Sequence, residues 1–279
     1  MPGDWSMLLD THCHLDALEF ESDRNAVIER ALQCQVKAII IPAVEQANFE
    51  RVRVLAHRFT QGFYALGIHP MYVRNANEQH LVQLHQELSI YRNDPKLVAI
   101  GEIGLDFFVP EISQGPERLK QEHFYSAQLD LAREFDLPVI LHVRRSQDVL
   151  LKYLRRRAVR GGIAHAFNGS LQQANQFIEQ GFALGFGGAM TYARALQIRR
   201  LACQLPLSAI VLETDSPDIP PAWLTHARRN EPFQVAGIAQ TLAALRGVSQ
   251  KFVEEQTAST AQRVLPRLAG LAVKTPSAD

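Results

Sequence analysis

Eight short apolar runs, separated by longer amphipathic segments, set the frame for this chain. They are Met7–Asp10, Ala38–Pro42, Tyr64–Gly67, Val98–Gly101, Val139–His142, Gly162–His165, Ala183–Gly187 and Ile210–Thr214. Runs this short, apolar on both faces and rich in Val, Ile and Leu, fit strands buried in a parallel sheet. The segments between them carry helical stripes: Val27, Ile28, Ala31 and Leu32; then Phe49, Val52, Ala56 and Phe59; then Leu81, Leu84, Leu88 and Tyr91; then Phe124, Ala127, Leu131 and Phe135. Each follows the i, i+3/i+4, i+7 spacing of a helix with one face on a sheet. Pro70, Pro95, Pro138, Gly161-Gly162, Gly181 and Pro206 punctuate the alternation. Eight strand–helix units in 279 residues predict an α/β fold, a (β/α)8 TIM barrel. An open doubly wound sheet would carry a Gly-rich phosphate turn after its first strand, and here that strand runs into Thr11-His12-Cys13-His14. Residues 1–269 are expected to form one barrel domain closed by one or two helices between Pro232 and Leu268, with 270–279 as a disordered tail.

In such a barrel the active site lies at the C-terminal ends of the strands. The residues there are His12 and His14 after the first run, His69 after the third, Glu102 after the fourth, His142 and His165 ending the fifth and sixth, and Asp215 after the eighth. Strand side chains alternate, so His12 and His14 enter the mouth together and Cys13 turns into the wall as a packing residue. Imidazole and carboxylate suit zinc, manganese or iron, and carboxylate suits magnesium. With His69 set aside as a substrate-contact candidate, the six remaining donors exceed one tetrahedral ion and suit two divalent cations ~3.5–4 Å apart, which lower the pKa of water and clamp a phosphoryl or carbonyl oxygen.

The motifs Asp10-Thr-His-Cys-His14, Gly67-Ile-His-Pro70, Gly101-Glu-Ile-Gly-Leu-Asp106, Leu141-His-Val-Arg144, His165-Ala-Phe-Asn-Gly-Ser170, Glu213-Thr-Asp-Ser-Pro217 and Asn230-Glu-Pro232, in this order, resemble the TatD family of metal-dependent hydrolases and deoxyribonucleases, within the amidohydrolase superfamily. The resemblance implies that His12, His14 and Asp215 hold one metal, that His142 and His165 hold the second, and that Glu102 bridges both. It implies an exonuclease that trims single-stranded DNA from the 3′ end, with Asp215 also taking the proton of the attacking water. Some relatives in the superfamily bridge their metals with a carboxylated lysine, but none of the six lysines here ends a predicted strand. Two positions depart from the commoner family pattern. Phe107-Phe108 stands where many members carry tyrosines, and Asp218 stands where an aromatic residue is frequent. An acid at Asp218 would repel a phosphate backbone.

Substrate-contact candidates are His69, Arg144, Asn168 and Ser170. Each also has a plainer reading: a loop hydrogen bond, a solvated charge, or turn chemistry. Asp106 reads as a loop or helix-cap residue. His57, His80, His85 and His123 read as surface residues; His226, Arg228 and Arg229 lie in the loop after the eighth strand. The basic run Lys152, Arg155, Arg156, Arg157 and Arg160 ends the helix after the fifth strand, so it falls at the opposite end of the barrel from the site.

Charge and cysteine content narrow the setting. Lys+Arg and Asp+Glu both number 29, which argues against a DNA binder working by overall basicity. It predicts short-footprint, weak DNA binding governed by the metals; a monomer or small homo-oligomer is the separate expectation for assembly. Three cysteines without a CxxC pair fit a reducing compartment, and no apolar run approaches the ~20 residues of a membrane span, so a cytoplasmic location is expected. The same donors also suit a hydrolase of a small ester, lactone, amide or organophosphate, and fold alone does not separate these. A non-catalytic scaffold would not need the complete donor set.

Overall fold

The computed structural model describes residues 7–224 and 229–271. His226, Arg228 and 272–279 of the expected tail lie outside the described residues, as do residues 1–6. Eight parallel strands follow one another around a barrel in chain order. They are β1 (Leu8–Asp10), β2 (Val36–Pro42), β3 (Gly62–Leu66), β4 (Leu97–Asp106), β5 (Val139–Arg144), β6 (Gly162–His165), β7 (Phe182–Phe186) and β8 (Ile210–Leu212). The helices are α1 (Arg24–Gln33), α2 (Phe49–His57), α3 (Pro70–Val73), α4 (Glu78–Tyr91), α5 (Gly115–Glu134), α6 (Gln147–Arg156), α7 (Leu171–Glu179), α8 (Leu196–Gln204), α9 (Val235–Arg246) and α10 (Gln250–Val264). The (β/α)8 barrel expected from the alternation is the observed fold. The first and last strands meet through Thr11 N–H to Leu212 O at 3.1 Å and Asp215 N–H to His12 O at 2.8 Å.

Strand alternation divides the core into two. Leu9, Ala38, Ile40, Phe63, Ala65, Val98, Ile140, Ile163, Ala183 and Val211 point inward. Their neighbours, such as Ile39, Ile41, Leu141 and Leu184, point outward against the helices. Ala258, Ala261, Val264, Leu265 and Leu268, from α10 and the turn after it, join the inner cluster and floor the barrel. That leaves the other end for the site.

Two elements differ from the sequence expectation. β4 does not stop at Gly101. Its register against β5 shifts between Ile100 and Ile103, and the ladder then resumes from Ile103↔Leu141 to Asp106↔Arg144. This irregularity carries Glu102 into the mouth, where its N–H donates to Ala43 O at 2.9 Å. In α5 the buried face is Gln121, Phe124, Tyr125, Gln128, Leu129 and Ala132; of the expected stripe, Ala127, Leu131 and Phe135 are only partly buried. The two glutamines are buried because they bond loop backbone. Gln121 accepts from Asp106 N at 2.9 Å and donates to Ile112 O at 2.6 Å. Gln128 accepts from Ile68 N at 2.7 Å and donates to Ile68 O at 3.1 Å.

Candidate metal centre

The two oxygens of Glu102, a residue 1% exposed, face different sets of imidazoles. Oε2 lies 3.1 Å from His12 Nε2 and 3.5 Å from His14 Nε2. Those nitrogens are 3.3 Å apart, and each is 3.6 Å from Asp215 Oδ1. Oε1 lies 2.9 Å from His142 Nδ1, 3.2 Å from His165 Nε2 and 3.3 Å from His69 Nε2. The alternation argument for His12 and His14 matches this convergence, and Cys13 is fully buried in the wall, bridged to Ser216.

The donor set fits divalent cations. Two ligands bound at ~2.1 Å in tetrahedral geometry sit ~3.4 Å apart, and the contacts around Oε2 run from 3.1 to 3.6 Å. His12 also stacks on His165 with centroids 3.8 Å apart. A neutral imidazole offers one N–H and one lone pair, so rings gathered this closely around one carboxylate turn lone pairs toward one another, an arrangement that a cation satisfies. Burial by itself would raise the Glu102 carboxyl; His69, His12 and His165 outweigh it and hold the group well below the usual carboxylate range. Asp215 goes the other way, raised by burial to about 6 against the pull of His165 and His14.

The supporting residues orient these rings. Asp106 accepts from Phe108 N at 2.8 Å and Val109 N at 3.1 Å, the loop role expected for it. Its other oxygen, Oδ2, lies 3.0 Å from His142 Nε2, a contact the sequence reading did not anticipate. Burial would raise Asp106, and His142 with the two backbone donors outweighs it, bringing the group to about 2. Glu213, 1% exposed, accepts from Ala166 N at 2.5 Å and has Oε1 3.6 Å from His165 Nδ1. Only glycine leaves it room, since a Cβ on Gly185 would stand 2.1 Å from Glu213 Oε2. Asp10 accepts from Thr214 N at 2.9 Å and Thr214 Oγ1 at 2.6 Å, tying the ends of β1 and β8 together. Glu213 was given no role from sequence, and the available signal was its place two residues before Asp215, on the same face of an extended chain. The buried glutamines left no signal in hydrophobic periodicity.

The second-tier candidates separate. His69 caps α3, and its Nδ1 accepts from Met71 N at 3.1 Å. In the neutral ring the proton therefore sits on Nε2, and burial lowers His69 to about 4. Arg144 and Asn168 line the cavity of about 1350 Å³ over the centre. Ser170 is not among the residues that line it; its hydroxyl accepts from Gln173 N at 3.1 Å in a capping box that starts α7. His57 and His123 are exposed and His85 is half-buried, and they pair with Asp94, Glu78 and Glu134 respectively. Arg229 is held by Asp23 and Glu231. Arg157 and Arg160 pair with Asp130 and Asp136.

A barrel with buried histidine and carboxylate donors at the C-terminal end of its strands defines a metal-dependent hydrolase class. The profile of the TatD related DNase family matches residues 9–266. The chain belongs to this family. It is 42% identical over 239 residues to the metal-dependent hydrolase YjjV of Escherichia coli, covering 85% of this chain and 90% of that protein. It is 33% identical over 273 residues to the deoxyribonuclease TATDN3 of Homo sapiens, covering 96% and 97%. The crystal structure of YJJV, a TatD homologue from Escherichia coli, superimposes with a TM-score of 0.87 at 38% identity, covering 94% of this chain and 98% of that one. No helix among the described residues is long and apolar enough to cross a membrane.

Proposed function

We propose that this protein is a two-metal phosphodiesterase acting on DNA, at single-stranded ends. The observation that carries the reading is the division of Glu102: one oxygen faces His12 and His14, the other His142, His165 and His69. In this reading His12, His14 and Asp215 would hold one cation, His142 and His165 would hold the second, and Glu102 would serve both. When bound, the cations make water nucleophilic near neutral pH and neutralise charge that builds on the phosphoryl oxygens.

The residues of the chain supply the rest. Asp215, whose Oδ1 lies 3.6 Å from both His12 Nε2 and His14 Nε2, would take the proton of the attacking water as a carboxylate. The water oxygen bonds to phosphorus, the bond from phosphorus to the sugar oxygen breaks, and the proton passes to that leaving oxygen. His69, neutral with its proton on Nε2, donates to a phosphoryl oxygen rather than binding metal. Arg144 and Asn168, on the cavity wall, contact the substrate. The deoxyribonuclease name of the TATDN3 relative supports DNA as substrate.

A second reading, a hydrolase of a small ester, lactone, amide or organophosphate, draws on the acids Asp16, Glu19, Glu45 and Asp218 along the same cavity. A long polyanion meets these unfavourably. The deciding experiment strips the protein with chelator, reloads it with Mg²⁺, Mn²⁺ or Zn²⁺, and offers single-stranded DNA beside a panel of esters and lactones. Metal-dependent release of nucleotides is expected. Turnover of esters or lactones with intact DNA would overturn the reading in favour of the second.

A further inference from the structure

Charge around the mouth is divided by strand. The strands run in order around the barrel, so the loops after β4 and β5 face those after β8 and β1 across the opening. On the β8–β1–β2 side the cavity is lined by Asp16, Glu19, Glu45 and Asp218. The cation there, Arg51, is committed to Asp16, with Nε 3.1 Å from Oδ2. Asp218 is exposed.

The β4–β5 side is opposite in sign. The guanidinium carbons of Arg144 and Arg145 lie 3.8 and 4.7 Å from the centroid of the Phe108 ring. Successive residues of an extended strand point to opposite faces. Arg145 breaks that rule by adopting a φ of +55°, a left-handed conformation that a Cβ disfavours, and both side chains reach the same ring. A guanidinium laid on an aromatic ring keeps its N–H edge for an anion. Arg145 pairs with no carboxylate among the described residues, and Arg144 Nη1 stands 3.7 Å from Asp106 Oδ2. That same oxygen is 3.0 Å from His142 Nε2, so the arginine pair begins one carboxylate away from the donor rings.

We propose that the cavity reads the end of a strand by charge. The phosphate next to the scissile one, toward the body of the strand, is held by Arg144 and Arg145 on Phe108. The terminal sugar lies on the β8–β1–β2 side and must carry a hydroxyl, because a terminal phosphate would meet Asp218, Glu45 and Glu19. This inference rests on the phosphodiesterase reading. It also reconciles the acids of the mouth with a DNA substrate, since an unphosphorylated terminal nucleoside brings no charge to them.

The test uses metal-loaded protein and single-stranded deoxyoligonucleotides of one sequence, labelled at either end, whose free end carries a hydroxyl or a phosphate. At the attacked end, the phosphate is expected to lower kcat/KM by at least about tenfold. Asp218→Asn with Glu45→Gln should cut this discrimination at least about threefold, and Asp218→Lys should narrow it further. Arg144→Ala with Arg145→Ala should raise KM for the hydroxyl-ended oligonucleotide at least about tenfold more than KM for thymidine 5′-(p-nitrophenyl phosphate), which has one phosphodiester and no neighbouring phosphate. Equal kcat/KM on the two ends, or equal rises in KM for the two substrates, would overturn the proposal. Failure of the wild-type protein to cleave either substrate would overturn the phosphodiesterase reading and this inference with it. Cleavage of both without discrimination would overturn this inference alone.

Discussion

Asp106 Oδ2 and His142 Nε2 lie 3.0 Å apart, on the edge of the imidazole away from Nδ1, which is 2.9 Å from Glu102 Oε1. The carboxylate keeps the proton on Nε2 and leaves the Nδ1 lone pair aimed at the centre. Removing such an outer partner typically costs ~10–100-fold in metal affinity or activity. Asp106→Ala is therefore expected to weaken metal binding by about that factor, measured by metal titration of the stripped protein. Asp106→Asn, which can still accept from Nε2–H, should recover part of it. Wild-type affinity in Asp106→Ala would refute the orienting role.

Glu102 faces both sets of imidazoles, so its charge is shared by both proposed cation positions. Glu102→Gln keeps the shape and removes the charge. Metal content by elemental analysis should fall, and hydrolysis should drop by more than the ~100-fold typical of outer-shell changes. Full metal content with near-wild-type turnover would sink the bridging assignment.

Gly185 is required by its neighbour. Its Cβ would stand 2.1 Å from Glu213 Oε2 and 2.5 Å from the carboxyl carbon. Gly185→Ala should lower stability by about 1–3 kcal/mol through overpacking and loosen the Ala166 N–H bond beside His165. A lowered melting temperature with reduced turnover is expected; a wild-type melting curve would count against the clash.

Asp94, far from the metal centre, gathers three donors: Tyr64 Oη at 2.8 Å, His57 Nε2 at 2.8 Å and Lys96 N at 3.0 Å. Burial by itself would raise its pKa, and these bonds outweigh it, so the folded value lies below the ordinary one. A depressed carboxyl stabilises the fold above its unfolded pKa of ~3.9, and that stability is lost as pH falls through the folded value. Urea midpoints of wild type should thus decline more between pH 5 and pH 3 than those of Asp94→Asn. Parallel declines would contradict this. Tyr64→Phe should cost about 1–2 kcal/mol at pH 7.

Salt dependence reports how many phosphates the protein neutralises. With Arg144 and Arg145 as the cations on one wall of the cavity, two contacts on a single strand predict a slope of log K against log[salt] near −1.4, from ~0.7 per contact. Filter-binding or anisotropy titrations between low and physiological salt would measure it. A slope several times steeper would mean a wider basic footprint than the mouth provides.

How much of this was legible in the chain depends on the kind of force involved. The barrel was, because eight apolar runs with helical stripes between them leave few other ways to bury both faces of each strand. The convergence of His12, His14, His142, His165, Glu102 and Asp215 was too, because strand ends meet in that fold. The extension of β4 past Gly101 was not, since the irregularity at Glu102 interrupts the pattern that marks a strand. Gln121 and Gln128 were hidden because their burial is paid for by backbone hydrogen bonds that hydrophobicity does not record. Ser170 and Asp106 show the ambiguity of short polar residues after a strand: Ser170 is used as a cap, while Asp106 serves both its loop and the far edge of His142.

The floor laid by α10 makes this a one-ended vessel. Ala258, Ala261, Val264, Leu265 and Leu268 fill the barrel from below, so whatever enters the mouth leaves by the mouth. In the proposed reading, the released nucleotide and the shortened strand share that one opening, and the strand passes across the mouth rather than through the barrel.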